Sequence, residues 1–201
     1  DQREKTKNRY EHILPNIIYG KTFVTEKLGY FDFESNASYK NYDGDKHLSL
    51  LKNDLIWTSN SSILNNGLVN TLGGMLTNIN YDAKNTGGDY KTDGKVNELQ
   101  SVLTFKSSLP LKKDKAKSFN IFSPNLMVRY APGHMRNLSE DNLMLKYTNL
   151  FSMNKTSEIE SGLSAILGFD FKKSDKNQDG SSRERYSLSV GQVFRSERNE
   201  D

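Results

Sequence analysis

The feature of this sequence that most limits its fold is a period of two, sustained over runs longer than most soluble strands need. Residues 158–171 place Ile159, Leu163, Ala165, Leu167, Phe169 and Phe171 in one file and Glu158, Glu160, Gly162, Ser164, Gly168 and Asp170 in the other. Only Ile166 breaks the polar file. Residues 185–195 repeat the pattern, with Tyr186, Leu188, Val190 and Phe194 against Arg185, Ser187, Ser189, Gly191 and Arg195. Successive side chains of a strand point to opposite faces, so each run has one apolar side and one polar side. The turn-rich link Ser174-Asp175-Lys176-Asn177-Gln178-Asp179-Gly180 predicts that these two runs form a hairpin.

A third run sets Phe31, Phe33, Ala37 and Tyr39 against Asp32, Glu34, Asn36, Ser38 and Lys40. Weaker runs cover residues 12–24, 47–59, 67–83, 96–107, 119–130 and 142–151, separated by charged or turn-rich links at 41–45, 85–89 and 111–115. The expectation is an all-β chain, an antiparallel up-and-down meander of about nine long strands, with no internal domain boundary over residues 1–201. Spacing separates the all-β classes. Each strand and its link take about 22 residues, whereas soluble sandwiches show turn signals every 8–12. Runs of about 9–15 residues are what a tilted strand needs to cross a bilayer.

Composition agrees with that reading. Hydrophobic residues are 34% and mean hydropathy is −0.75, while Asn and Ser supply 43 of the 201 residues, which is little material for a packed core. A membrane barrel needs no such core, because its apolar file meets lipid and its polar file meets a hydrated lumen. No stretch approaches the roughly 18–20 apolar residues of a spanning helix. The absence of cysteine excludes disulfides and thiolate metal sites, and a net charge of +3 is too small and dispersed to point to nucleic acid. The chain starts at Asp1 with no Met and no leader-like segment, and the expectation is a piece of a longer protein, a fragment of a large transmembrane β-barrel.

No motif points to catalysis, a cofactor or a metal. Asp175-Lys176-Asn177-Gln178-Asp179-Gly180 copies the first half of a calcium loop, but Tyr186 falls where the bidentate Glu belongs, so the segment reads as a solvated turn. His12, His47 and His134 are scattered, and no nucleophile elbow or phosphate loop is present. The Asn-x-Ser/Thr triplets at Asn36, Asn60, Asn137 and Asn154 are expected by chance at this Asn and Ser content. Trp57 and Tyr19, Tyr30, Tyr42, Tyr81 and Tyr130 lie near run ends, where a barrel places its aromatic girdle. Pro15 and Pro124 cannot donate to a ladder, so each should mark a strand start, a bulge or an edge. Gln192 falls in the apolar file, where an amide facing lipid is costly. A bulge near Gly191 that turns it inward, or a place at the interface, is the expectation.

Short segments then resemble a known family in collinear order. Residues 9–19, with Pro15, are similar to the strand that opens a recurrent barrel block in the LptD family of lipopolysaccharide-assembly (organic-solvent-tolerance) proteins. Leu28-Gly29-Tyr30-Phe31-Asp32-Phe33-Glu34-Ser35, Asn53-Asp54-Leu55-Ile56-Trp57 and Phe122-Ser123-Pro124-Asn125 resemble its following strands. Asn149-Leu150-Phe151 resembles its Asn-Leu-Phe segment, and Ser189-Val190-Gly191-Gln192-Val193-Phe194-Arg195 its Gly-Gln-aromatic-Arg signature. Lys155 stands where the family usually carries Arg, so no role of that Arg transfers.

The resemblance implies a non-enzymatic wall segment in the Gram-negative outer membrane that helps deliver lipopolysaccharide to the outer leaflet. It implies lipopolysaccharide, outer-membrane lipid, an LptE-like lipoprotein plug and the periplasmic lipopolysaccharide-transport components as partners. Asp32, Glu34, Glu158, Glu160 and Arg185 are the lumen-facing polar candidates, and Pro15, Trp57, Pro124, Asn149, Leu150, Phe151, Gly191 and Gln192 carry the family pattern. Two other readings share the alternation: a porin or uptake channel, which would conduct ions, and a soluble β-sandwich for adhesion or binding, which would stay monomeric without detergent.

Overall fold

A computed structural model describes residues 12–42, 46–86, 94–133, 147–153, 160–177 and 181–196. Eight long strands follow one another: β1 (His12–Thr25), β2 (Gly29–Tyr42), β3 (Lys46–Thr58), β5 (Val69–Lys84), β6 (Gly94–Ser108), β8 (Ser118–Ala131), β9 (Gly162–Lys176) and β10 (Ser182–Arg195). Two short strands, β4 (Ser62–Ile63) and β7 (Leu111–Asp114), pair with β5 and β8. All belong to one open antiparallel sheet in the order β1-β2-β3-β5-β6-β8-β9-β10. The long strands have 13–16 residues, enough to cross a bilayer at a tilt.

The meander and the β9–β10 hairpin are as the alternation predicts. Two segments differ. The run expected over 142–151 is not a strand in its described part: Tyr147–Leu150 form one helical turn, α1, followed by a turn in which Ser152 N–H donates to Asn149 O at 3.1 Å. The link expected at 111–115 contains β7, whose Leu111–Asp114 pairs with residues 119–122.

Both prolines sit where a missing N–H is harmless. Pro15 lies near the start of β1, at an end of the sheet. Pro124 stays in unbroken register with Phe169 on the β9 side. On its other side the neighbouring strand breaks between β6 and β7, and Leu109 N–H donates to Pro124 O at 3.1 Å. The irregularity that Pro124 requires therefore lies in its neighbour and not in β8.

By contacts the chain forms two compact units, one from the described residues of Asp1–Val24, Phe31–Ile56 and Leu76–Gln100, the other from Thr25–Tyr30, Trp57–Met75 and Ser101–Asp201. In the first, Leu48, Ile79, Tyr81 and Ala83 form a buried cluster with Leu50 and Val96 against it. Tyr81, 6% exposed, belongs to this cluster and not to an aromatic girdle. Its hydroxyphenyl ring follows the file of Ile79 and Ala83 because residues two apart share a face. In the second unit, Val102 and Ala131 pack with Met75, and Met127, Leu150 and Ile166 pack with Phe151 and Val193.

Candidate functional site

Strands β8, β9 and β10 align their side chains in rows across the ladder. On one face Phe122, Phe171 and Leu188 form a row, then Pro124, Phe169 and Val190, then Leu126, Leu167 and Gln192, then Val128, Ala165 and Phe194. Phe122, Leu167, Leu188, Val190 and Phe194 are all exposed. We call this the belt face. Rings pack along it, with Phe122 and Phe169 centroids 5.4 Å apart and Phe171 and Tyr186 5.9 Å apart. Such a band of large apolar side chains, open to the surroundings over three strands, is the signature of a surface that meets another phase or partner.

The opposite face is built from small, polar and charged residues. Its rows read Ser123, Asp170, Ser189; Asn125, Gly168, Gly191; Met127, Ile166, Val193; and Arg129, Ser164, Arg195. Asp170 accepts from Asn125 at 2.7 Å and from Ser189 at 2.5 Å, so its carboxylate ties the first row to the second. The single apolar row is where residues 149–153 fold back onto the sheet. Leu150 packs on Met127 and Ile166, with Phe151 and Val193 beside them.

The glycine row makes this seat possible. A Cβ on Gly191 would stand 2.1 Å from Leu150 Cδ2, and one on Gly168 would stand 3.0 Å from Phe151 Cζ and 2.4 Å from Val190 O. At Gly168 the backbone excludes a side chain, and at Gly191 a side chain would displace Leu150 from its seat. Asn149-Leu150-Phe151 and Gly191 are thus two halves of one contact, although about 40 residues separate them in sequence. Ile166, the one exception in its polar file, is 0% exposed beneath this turn.

The charged row clamps the chain on the C-terminal side of the turn. Arg129, 1% exposed, donates from Nε to Met153 O at 2.7 Å and from a terminal nitrogen to Glu160 O at 2.6 Å. Glu160 accepts from Arg195 at 2.6 Å, with only 5% of its side chain exposed. A buried guanidinium holding two carbonyls beside an ion pair is costly to break, because the remaining groups would be left desolvated. Lys106 Nζ lies 5.8 Å from the Phe151 ring, which adds a cation above the aromatic.

Of the polar candidates, Glu160 is therefore part of this clamp. Asp32 accepts from Thr22 Oγ1 at 2.6 Å between β1 and β2, and Glu34 is exposed. Glu158 lies outside the described residues. Arg185 occupies a bulge: the register shifts between Glu184 and Tyr186, so Arg185 leaves the file of Ser187 and Ser189, and its Nε donates to Asp175 at 2.5 Å. This is the only register shift in the β9–β10 ladder, so the bulge expected near Gly191 is absent. Gln192 stays paired with Leu167 on the belt face, exposed between Val190 and Phe194. A one-residue insertion at 185 already sets the faces of the rest of β10, and nothing in the ladder beyond it turns Gln192 inward.

Trp57, at the end of β3, donates its indole N–H to Leu28 O in the β1–β2 turn at 2.7 Å. Asn60 donates to Glu26 O in the same turn at 2.7 Å. An apolar ring with a satisfied polar edge suits a boundary between lipid and water. Tyr19, Tyr30 and Tyr130 are exposed, while the side chain of Tyr42 lies outside the described residues.

The sequence reading did not single out Arg129, nor the packing role of Gly168 or the hydrogen bond of Asn125 to Asp170. The available signal was parity: Asn125 and Arg129 alternate with Leu126, Val128 and Tyr130, which places them on the polar face.

Among curated proteins none matches the chain. The family described as LptD, LPS transport system D, matches residues 12–201, a span that includes β1 through β10 and the seated turn. The match runs over nearly the whole length and agrees with the all-β meander, and the chain belongs to the LptD family of lipopolysaccharide transport.

Proposed function

We propose that residues 1–201 form one continuous piece of the wall of an outer-membrane barrel that delivers lipopolysaccharide to the outer leaflet. The observation that carries this reading is the division of β8–β10 into an exposed apolar belt and a polar opposite face, within a chain of the LptD family. The belt face lies against lipid acyl chains, which need no hydrogen bonds from it. The opposite face lines a hydrated lumen. There Asp32 and Glu34 present charge to the sugar side of a passing amphiphile, while Glu160 stays in its clamp with Arg195 and the seated turn at 149–153 narrows the passage over β8–β10.

In this arrangement the protein performs no bond chemistry. Its contribution is to keep a polar route and an apolar exterior on two sides of a single layer of strands. An LptE-like lipoprotein plug fits the lumen side, where polar groups and the in-folded turn offer hydrogen-bonding partners. Depletion of the protein in its Gram-negative host, followed by surface detection of newly made labelled lipopolysaccharide, tests the reading. Loss of surface label is expected, and undiminished surface label would sink it. Ion conductance of the intact barrel in planar bilayers separates the porin reading, which predicts large open-channel currents where the transport reading predicts a blocked lumen.

A further inference from the structure

Strand β5 changes the polarity of both its faces midway. One file begins Leu72, Gly74, Leu76 and continues Asn78, Asn80, Asp82; the other ends Ile79, Tyr81, Ala83, all buried. Beyond residue 77 the apolar side is packed and the outward side is polar. The change gives the strand a hydrogen-bonding surface in the same file as the exposed Leu76.

That surface contains a depression of about 380 Å³, within the usual size range of small-molecule sites. Ser49 and Leu51 of β3, Asn80 and Asp82 of β5, and Lys95 and Asn97 of β6 line it. Its amides are held in a chain. Asn97 donates to Asn80 Oδ1, Asn80 donates to Asn78 Oδ1 at 2.5 Å, and Asn78 donates to Glu98 O at 3.3 Å. Each amide fixes the orientation of the next, so the donors and acceptors facing the depression are ordered before anything binds. Asp82 lies 3.9 Å from His47 on the same side.

The chemistry selects an occupant. A phosphate group calls for an excess of Lys or Arg, and here one lysine stands beside one aspartate. Neutral amides and a serine hydroxyl, each able to donate or accept, match sugar hydroxyls, which do both. Leu51 provides an apolar patch for the C–H face of a sugar ring. The exposed Leu76 and Leu99 beside the depression would carry an acyl chain down the belt. We propose that this depression binds the saccharide headgroup of a membrane-anchored glycolipid lying against the outside of the wall. The proposal rests on the reading that the belt face meets lipid.

The test uses the full-length protein in phosphatidylcholine nanodiscs, with or without a lipopolysaccharide that lacks O-antigen. A photo-crosslinking residue is placed at Ser49 and, as a control, at Leu188 on the belt of β10. Preferential crosslinking of lipopolysaccharide from position 49 is expected, with a loss of about tenfold in an Asn80→Ala/Asn97→Ala variant that still shows the heat-shifted band of a folded barrel. Crosslinking at 49 no stronger than at 188, or unchanged in the folded double variant, overturns the proposal. Free core oligosaccharide is added as competitor. Competition at the same concentration as the anchored lipid overturns the membrane-anchored assignment, and weak competition supports it. Surface delivery in cells is read in parallel: delivery intact with crosslinking lost defeats the wall site alone, whereas undiminished delivery after depletion defeats the transport reading.

Discussion

Gly168 and Gly191 stand opposite one another in the β9–β10 ladder, and Leu150 and Phe151 fill the space their absent side chains leave. Adding one methyl group tests whether that space is required. Gly191→Ala places its Cβ against a movable leucine, and Gly168→Ala against the backbone oxygen of Val190. Both should destabilise by about 1–3 kcal/mol, with Gly168→Ala the worse because the backbone cannot step aside. Limited proteolysis of the folded barrel should show faster cutting near residues 147–153 in Gly191→Ala. Equal protection of both variants and the unaltered protein would refute the seat.

Arg129 is the second anchor of the same turn. Arg129→Met removes both carbonyl contacts, to Met153 O and Glu160 O, beside the Glu160–Arg195 ion pair. A cost of about 3–5 kcal/mol is expected from breaking a buried charged network by one partner. Arg129→Lys should recover only part of it, since an ammonium cannot reproduce the two-armed geometry of a guanidinium. Urea unfolding of the refolded barrel in detergent measures both, and a lysine variant as stable as the unaltered protein would contradict this geometry.

Ile166 offers a substitution that sequence pattern alone would favour. Ile166→Ser completes a polar file, yet it puts an unpartnered hydroxyl and a cavity beneath Leu150. A loss of about 2–4 kcal/mol is expected. Ile166→Val, which keeps the apolar contact, should cost about 1 kcal/mol. If the serine variant melts no lower than the valine one, the turn does not cover residue 166.

Trp57 is the one tryptophan of this chain. If its ring lies at the lipid–water boundary, the fluorescence lost on Trp57→Phe should be quenched more by lipids brominated near the headgroup than by lipids brominated near the chain ends. Stronger quenching from the chain ends would place it in the hydrocarbon instead.

Asp114 lies at the tip of the β7–β8 hairpin, between Lys176 at 2.5 Å and Lys112 at 3.4 Å. The hydrogen bond from Lys176 chiefly holds its carboxyl below the ordinary 3.8; desolvation offsets part of this, and the charge of Lys112 adds to the lowering. A lowered folded value means that the contribution is present above the ordinary value and is lost as pH falls through the folded one. Amide exchange at residues 115–118 should therefore accelerate, relative to intrinsic rates, only below about pH 4. Asp114→Asn should abolish that acid limb, and an unchanged limb would assign it to another group.

Much of the wall is legible in the order of residues alone. The alternation of Leu163, Leu167, Phe169 and Phe171 with Ser164, Gly168 and Asp170 assigns faces through covalent geometry, because side chains in extended backbone alternate whatever the partner. The lengths of the runs, their polar links and their order are equally local properties, and so are the segments that resemble the family. What each face touches is not local. Leu150 meets Gly191 and Arg129 meets Met153 only once register and a chain reversal bring them together. The helical turn at Tyr147–Leu150 inside an expected strand, the bulge at Arg185, and the strand break opposite Pro124 likewise depend on neighbours in the sheet. Residue order alone specifies a two-faced wall of long strands. Tertiary structure decided where that wall is covered, since packing energy belongs to pairs of residues that the chain holds far apart.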